Sequence, residues 1–161
     1  MIPYYVSAFS NHAAIKCPAE PEKVWECIRE STTLFPKALP KEYESIEILE
    51  GDGKSVASVR LIKYPPGLSA ISTTKEKIEV VDEGKKSLSY SVIGGDILKY
   101  YKDFKAHLSV SPKAEGKGCS VKWSCEFEKA SEEVPNPDLI RDFAIKNFQD
   151  LDAYILGLGA V

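Results

Sequence analysis

Polar side chains that fall where a strand or helix should be apolar are the places to look for chemistry, because burying them without partners costs free energy. Glu76 stands out first. In Lys75-Glu-Lys-Ile-Glu-Val80 it shares a period-two parity with Ile78 and Val80, so alternation puts a carboxylate on an inward face. Thr74, Tyr90 and Tyr100 fall on inward parities too, and Asn147 lies near the middle of an apolar helical stripe. Burial raises a carboxyl's pKa and suits it to proton exchange near neutral pH. A tyrosine adds an apolar ring with one hydrogen-bonding tip, which fits an amphipathic small molecule. Glu76, Tyr90 and Tyr100 are therefore the candidate acid–base groups. The plainer reading is that these residues satisfy one another or internal water.

Other chemistries find little to work with. His12 and His107 are the only histidines, and their positions make no ligand-spaced cluster, so no metal and no cofactor are expected. His107 sits between the inward Ala106 and Leu108 and should face water. Gly53-Lys-Ser55 resembles the end of a phosphate-binding loop, but position 48 is Ile where the motif needs glycine. A strand pattern follows it instead of a helix. No serine or cysteine sits in a nucleophile elbow. The four cysteines, at 17, 27, 119 and 125, form no CxxC pair. Cys119 and Cys125 would lie roughly 20 Å apart along one strand, too far to bridge. Reduced thiols in a cytoplasmic setting are expected.

The elements that must hold these residues can be read in turn. Tyr4 to Lys16 is a weak first strand. Val24, Trp25 and Ile28 recur at helical spacing after Pro21, and a second short helix runs from Ser31 or Thr32 to about Leu39, limited by Pro36. The period then changes to two, with strands expected over 43–50, 56–64, 69–81, 86–93, 98–111 and 119–129. Short turns between them imply an antiparallel meander. Leu98, Tyr100, Phe104, Ala106, Leu108 and Val110 share one parity, as do Val121, Trp123, Cys125 and Phe127. A final helix is capped by Asn136 with Pro137 at its first position. It carries the stripe Leu139, Ile140, Phe143, Ala144, Phe148, Leu151 and Ile155, and Gly157 ends it. One such helix cannot fill the concave side of a curled seven-stranded sheet, which leaves either a cavity or a core plugged by side chains.

The bulk composition agrees with one α+β domain over 1–161. Hydrophobic residues make up 43% and charged residues 28% of 161, a globular balance. A net charge of −3 offers no electrostatic footprint for nucleic acid. No run is long enough to span a bilayer, and Met1 to Phe9 lacks the basic start of a secretory signal. Monomer or weak dimer is expected.

Several stretches carry a resemblance: Thr33-Leu-Phe-Pro-Lys-Ala38, Leu49-Glu-Gly-Asp-Gly53, Ser58-Val-Arg-Leu-Ile-Lys-Tyr64, Lys75-Glu-Lys-Ile78, Tyr90-Ser-Val-Ile-Gly-Gly95, Val121-Lys-Trp-Ser124 and Asp142-Phe-Ala-Ile-Lys-Asn-Phe148. On these the chain resembles the plant major latex protein-like family, a branch of the Bet v 1/pathogenesis-related-10 group within the START-like superfamily. The resemblance implies a helix-grip fold, with a seven-stranded curved antiparallel sheet around a long C-terminal helix and two short helices after strand 1. It implies a cavity for a small hydrophobic ligand such as a terpenoid, steroid, phenylpropanoid or hormone. The expected lining is Leu39, Val59, Leu61, Thr74, Glu76, Ile78, Leu88, Tyr90, Val92, Tyr100, Phe104, Ala106, Phe143, Asn147 and Phe148. Some relatives are cyclases of specialised metabolism, which is the alternative reading. Relatives that condense amines with aldehydes carry an inward lysine and aspartate where this chain has Leu88 and Ala106, so that condensation is not expected. Ala57 stands where relatives often have glycine.

Overall fold

The structure, a computed structural model, describes residues 11–67, 71–114 and 116–159. In order they form β1 (Asn11–Cys17), α1 (Pro21–Arg29), α2 (Ser31–Ala38), β2 (Ser45–Glu50), β3 (Val59–Lys63) and β4 (Thr73–Asp82). Then come β5 (Ser87–Gly95), a 3-10 turn (Asp96–Lys99), β6 (Tyr101–Pro112), β7 (Cys119–Lys129) and α3 (Asp138–Gly159). The part of the expected first strand before Asn11, and the start of the stretch expected from 69, lie outside the described residues.

The seven strands make one sheet in the order β1-β7-β6-β5-β4-β3-β2. Every neighbouring pair is antiparallel. The meander read from the short turns thus runs from β2 to β7, and β1 closes the sheet beside β7. Register shifts fall between Ile48 and Glu50, Lys75 and Glu76, Ile78 and Val80, and Tyr101 and Asp103. Each extra residue bends its strand and increases local twist, which is why the sheet curls.

α1 starts on Pro21 and buries Val24, Trp25 and Ile28. α2 is eight residues long with Pro36 near its end. α3 turns Ala144, Asn147, Phe148, Leu151 and Ile155 inward, all buried. Two details of this helix differ from expectation. Leu139 is 84% exposed, because it shares the outward face of the helix with the exposed Asp142 and Lys146, while Ile140 beside it borders the interior. The helix also runs through Gly157 to Gly159, as a glycine offers a stop without imposing one. Asp152 fastens α3 to the start of the fold: its Oδ1 accepts the Ala19 N–H at 3.0 Å.

Beside β1 and β7 the inward side chains are closely covered. Ile15, Cys17, Val110, Cys119, Val121 and Leu151 are all buried. Cys17 stands directly opposite Cys119 in the β1–β7 register. Both thiols are free, and burial pushes the Cys17 thiol up to about 12. Spacing along the sequence could not reveal this pairing, since it depends on β1 returning to the sheet's far edge.

Candidate functional site

Between β3–β5, α2 and the first half of α3 the interior is not filled. A cavity of about 110 Å³ lies there, several times the roughly 30 Å³ share of one water molecule. Of the residues expected to line it, Thr74, Glu76, Ile78, Leu88, Tyr90, Val92, Phe104, Phe143, Asn147 and Phe148 border it. Leu39, Val59, Leu61, Tyr100 and Ala106 do not.

The departures have local causes. On β3 the inward parity belongs to Arg60 and Ile62, continued by Tyr64, because β3–β4 register sets Arg60 opposite Glu76 and Ile62 opposite Thr74. Val59 and Leu61 pair with Lys77 and Lys75 instead. Tyr100 follows the 3-10 turn at Asp96–Lys99, which interrupts the alternation assumed for a strand from 98. It is 39% exposed. Tyr101 takes the buried place, its hydroxyl donating to the Pro135 carbonyl at 2.7 Å. Leu39 is buried at the turn after α2, but Tyr43 on its far side is the residue that reaches the cavity. Ala106 is fully buried on the inward face between Phe104 and Leu108, whose longer side chains border the space in its stead.

Arg60 is the largest omission of the sequence reading. Its Nη2 donates to Glu76 Oε1 at 2.8 Å and its Nη1 donates to Ser31 Oγ at 2.6 Å. Side-chain exposures of 13% and 8% make Arg60–Glu76 a buried ion pair. Burial pushes the Glu76 carboxyl above its ordinary range, and the guanidinium pulls it back part of the way. The sequence favours Val59 and Leu61 as the inward parity of β3 and an arginine reads as outward by type, so Arg60 emerges only with the β3–β4 register.

Rings form much of the wall. Tyr43 lies 5.5 Å from Phe35, 6.0 Å from Tyr64 and 5.7 Å from Phe143, between ring centres. Tyr64 meets Phe143 edge-on at 5.7 Å. Such contacts add to area burial and hold the rings apart at fixed angles. Burial, and after it nearby ionisable groups such as Glu76, push the Tyr43, Tyr64 and Tyr90 hydroxyls far up, so these stay neutral hydrogen-bonding tips. The Trp123 indole N–H stands by the Tyr90 hydroxyl. Asn147 is 4% exposed and borders the cavity with an Oδ1 that has no hydrogen-bond partner among the described residues.

Elsewhere the candidate chemistry is absorbed. His107 lies on the outer face, half-exposed, held by Ser89 Oγ and Glu126 Oε2 at 2.6 Å each. In the loop after β2, Asp52 Oδ1 takes the N–H groups of Lys54 and Ser55 at 2.9 and 2.7 Å. The amides a phosphate would need are therefore occupied by the chain's own carboxylate. Ala57 in that loop has φ 75°, a left-handed conformation that glycine adopts at lower cost. No group of three or more metal-ligating side chains occurs among the described residues, and no described helix is long and apolar enough to cross a membrane.

Comparison with known proteins fits this geometry. The family model described as the pathogenesis-related protein Bet v 1 family matches residues 8–157. MLP-like protein 423 of Arabidopsis thaliana is 45% identical over 145 residues, covering 90% of this chain and 92% of that protein. Major latex protein 146 of Papaver somniferum is 36% identical over 103 residues, 64% of each chain. Among solved structures, ginseng major latex-like protein 151 from Panax ginseng superposes with a TM-score of 0.82 at 24% identity, covering 89% and 95% of the two chains. A norcoclaurine synthase point mutant from Thalictrum, in complex with a transition-state analogue, reaches 0.67 at 21% identity over 89% and 94%. The same curled sheet, the same gripping helix and a match that runs almost end to end place this chain in the Bet v 1 family, on its major latex protein-like branch.

Proposed function

We propose that this chain is a cytoplasmic binding or carrier protein for a small hydrophobic plant metabolite held in the internal cavity. The observation that carries the reading is a space between sheet and helix walled by Phe35, Tyr43, Tyr64, Val92, Phe104 and Phe143. Apolar burial supplies the affinity and a few fixed polar groups supply orientation. A ligand burying about 200 Å², the scale of one aromatic side chain, gains roughly 5 kcal/mol before association costs. One-ring molecules therefore bind weakly. Larger ligands bind tightly only by displacing rings such as Tyr43 and Phe143, which are held by edge contacts and not by backbone. A calorimetric titration with terpenoids, phenylpropanoids and sterols is expected to show saturable uptake, with competition among ligands for one site. Failure of every class to bind would remove the carrier reading.

A second reading has one observation in its favour. Glu76 is a buried carboxyl with a raised pKa on the cavity wall, as a general acid–base group requires. A cavity of this kind can fold a reactive intermediate and steer its cyclisation. Leu88 borders the cavity where amine-condensing relatives place lysine, which argues against that particular reaction. Product ratios from an activated precursor, with and without Glu76→Gln, test the cyclase reading. Unchanged rate and stereochemistry would end it.

A further inference from the structure

Resting on the carrier reading, we propose that the preferred ligand is a compact, neutral, one-ring alcohol or phenol whose hydroxyl is read jointly by Asn147 and Arg60. Asn147 sits on α3 in an apolar stripe between Phe143 and Leu151. It is 4% exposed, and its Oδ1 is unpartnered among the described residues. Across the same cavity Arg60 has used Nη1 on Ser31 and Nη2 on Glu76, while its Nε, also buried, is without a partner among the described residues. With Thr74 Oγ1, three buried polar atoms around this cavity lack a partner among the described residues, which is costly for a fold to keep and needs an explanation.

What they lack defines the missing group. Asn147 Oδ1 needs a donor, and Arg60 Nε–H needs an acceptor. A hydroxyl is both. An ionised carboxylate accepts only, and it would enter a site whose guanidinium is already neutralised by Glu76 at 2.8 Å. That would leave an uncompensated buried negative charge. An ammonium donates only and would face the guanidinium. A pure hydrocarbon leaves both groups unfilled. Size points the same way: about 110 Å³ is of the order of the ~150 Å³ engineered cavity that admits benzene.

The test uses three probes of similar size, p-cresol, toluene and p-toluate, followed by protein chemical shifts at neutral pH. In the unmodified protein p-cresol should bind about tenfold more tightly than toluene, with p-toluate weakest. In Asn147→Leu the preference for p-cresol over toluene should disappear while toluene uptake persists, which also shows that the variant folds. Equal binding of p-cresol and toluene by the unmodified protein would overturn the inference and leave the carrier reading standing. So would p-toluate binding most tightly, or a cresol preference that survives in Asn147→Leu. The unmodified protein decides the matter even if the variant does not fold. If none of the three binds while larger terpenoids do, the one-ring assignment is wrong; if nothing binds at all, the carrier reading falls with it.

Discussion

The two ends of the concave side are built from different materials. Beside β1 and β7, Ile15, Cys17, Val110, Cys119, Val121 and Leu151 are buried and none borders the cavity. These are small or branched side chains of the kind that interdigitate closely in protein interiors. Beside β3–β5 the cavity wall mixes aliphatic side chains such as Ile62, Ile78, Leu88 and Val92 with rings, a salt bridge and single polar groups: Tyr43, Tyr64, Phe143, Arg60, Glu76, Thr74 and Asn147. Rings braced edge-to-face and a guanidinium held by two acceptors prop one another without filling the space between them. Directional contacts gather around the hollow, although the β6–β7 side has its own, such as Tyr101 edge-on to Phe127 at 5.7 Å. One sheet and one helix support both ends.

Breaking the salt bridge should give the largest effect at the hollow end. Arg60→Met strands Glu76 in a buried site and should cost about 3–5 kcal/mol in urea unfolding. Arg60→Met combined with Glu76→Leu should recover most of that, because two apolar groups replace two charges. The pH dependence follows from the raised Glu76 pKa. A carboxyl whose folded pKa lies above its unfolded value of about 4.3 contributes in full below that value, and the contribution is lost as pH rises through the folded pKa. Removing Arg60 takes away the pull that lowers the folded value, so more is lost at high pH. The deficit of Arg60→Met should therefore be larger at about pH 8 than at about pH 5. A deficit independent of pH would mean that Glu76 is not the group left stranded.

One substitution at both ends separates packing from chemistry. Leu151 is fully buried in the solid end, whereas Leu88 borders the cavity. Leu151→Ala should cost about 4 kcal/mol and Leu88→Ala about 2, since a side chain that already faces a void has fewer contacts to lose. Equal losses would mean that the two ends are packed alike.

How much of this was legible in the sequence depends on what fixes each feature. Strand and helix order, the meander and most of the inward set follow from periods of two and 3.6, and the structure keeps them. Register across a turn is a property of two strands, so Arg60 was missed although Glu76 was found. The parity of β6 failed at Tyr100 because a 3-10 turn occupies Asp96–Lys99, where hydrophobic spacing alone reads as strand. Tyr64 continues the parity of Arg60 and Ile62 just past the end of β3 and is hidden with them, whereas Tyr43 precedes β2, outside the reach of period-two counting. Ala57 was noticed only as a departure from glycine, and its φ of 75° gives that departure its physical meaning.

The smallest predicted effect bears on why the hollow end persists. In Asn147→Leu an unpartnered amide is replaced by apolar atoms, which should stabilise the empty protein by about 1 kcal/mol. The same change at a satisfied position would destabilise. The gain should shrink when p-cresol is present in excess, because ligand binding stabilises the asparagine form more strongly. Thermal unfolding with and without p-cresol measures both quantities. A loss of stability in the empty protein would show that Asn147 is satisfied there and that the hollow end, like the solid one, is built for stability alone.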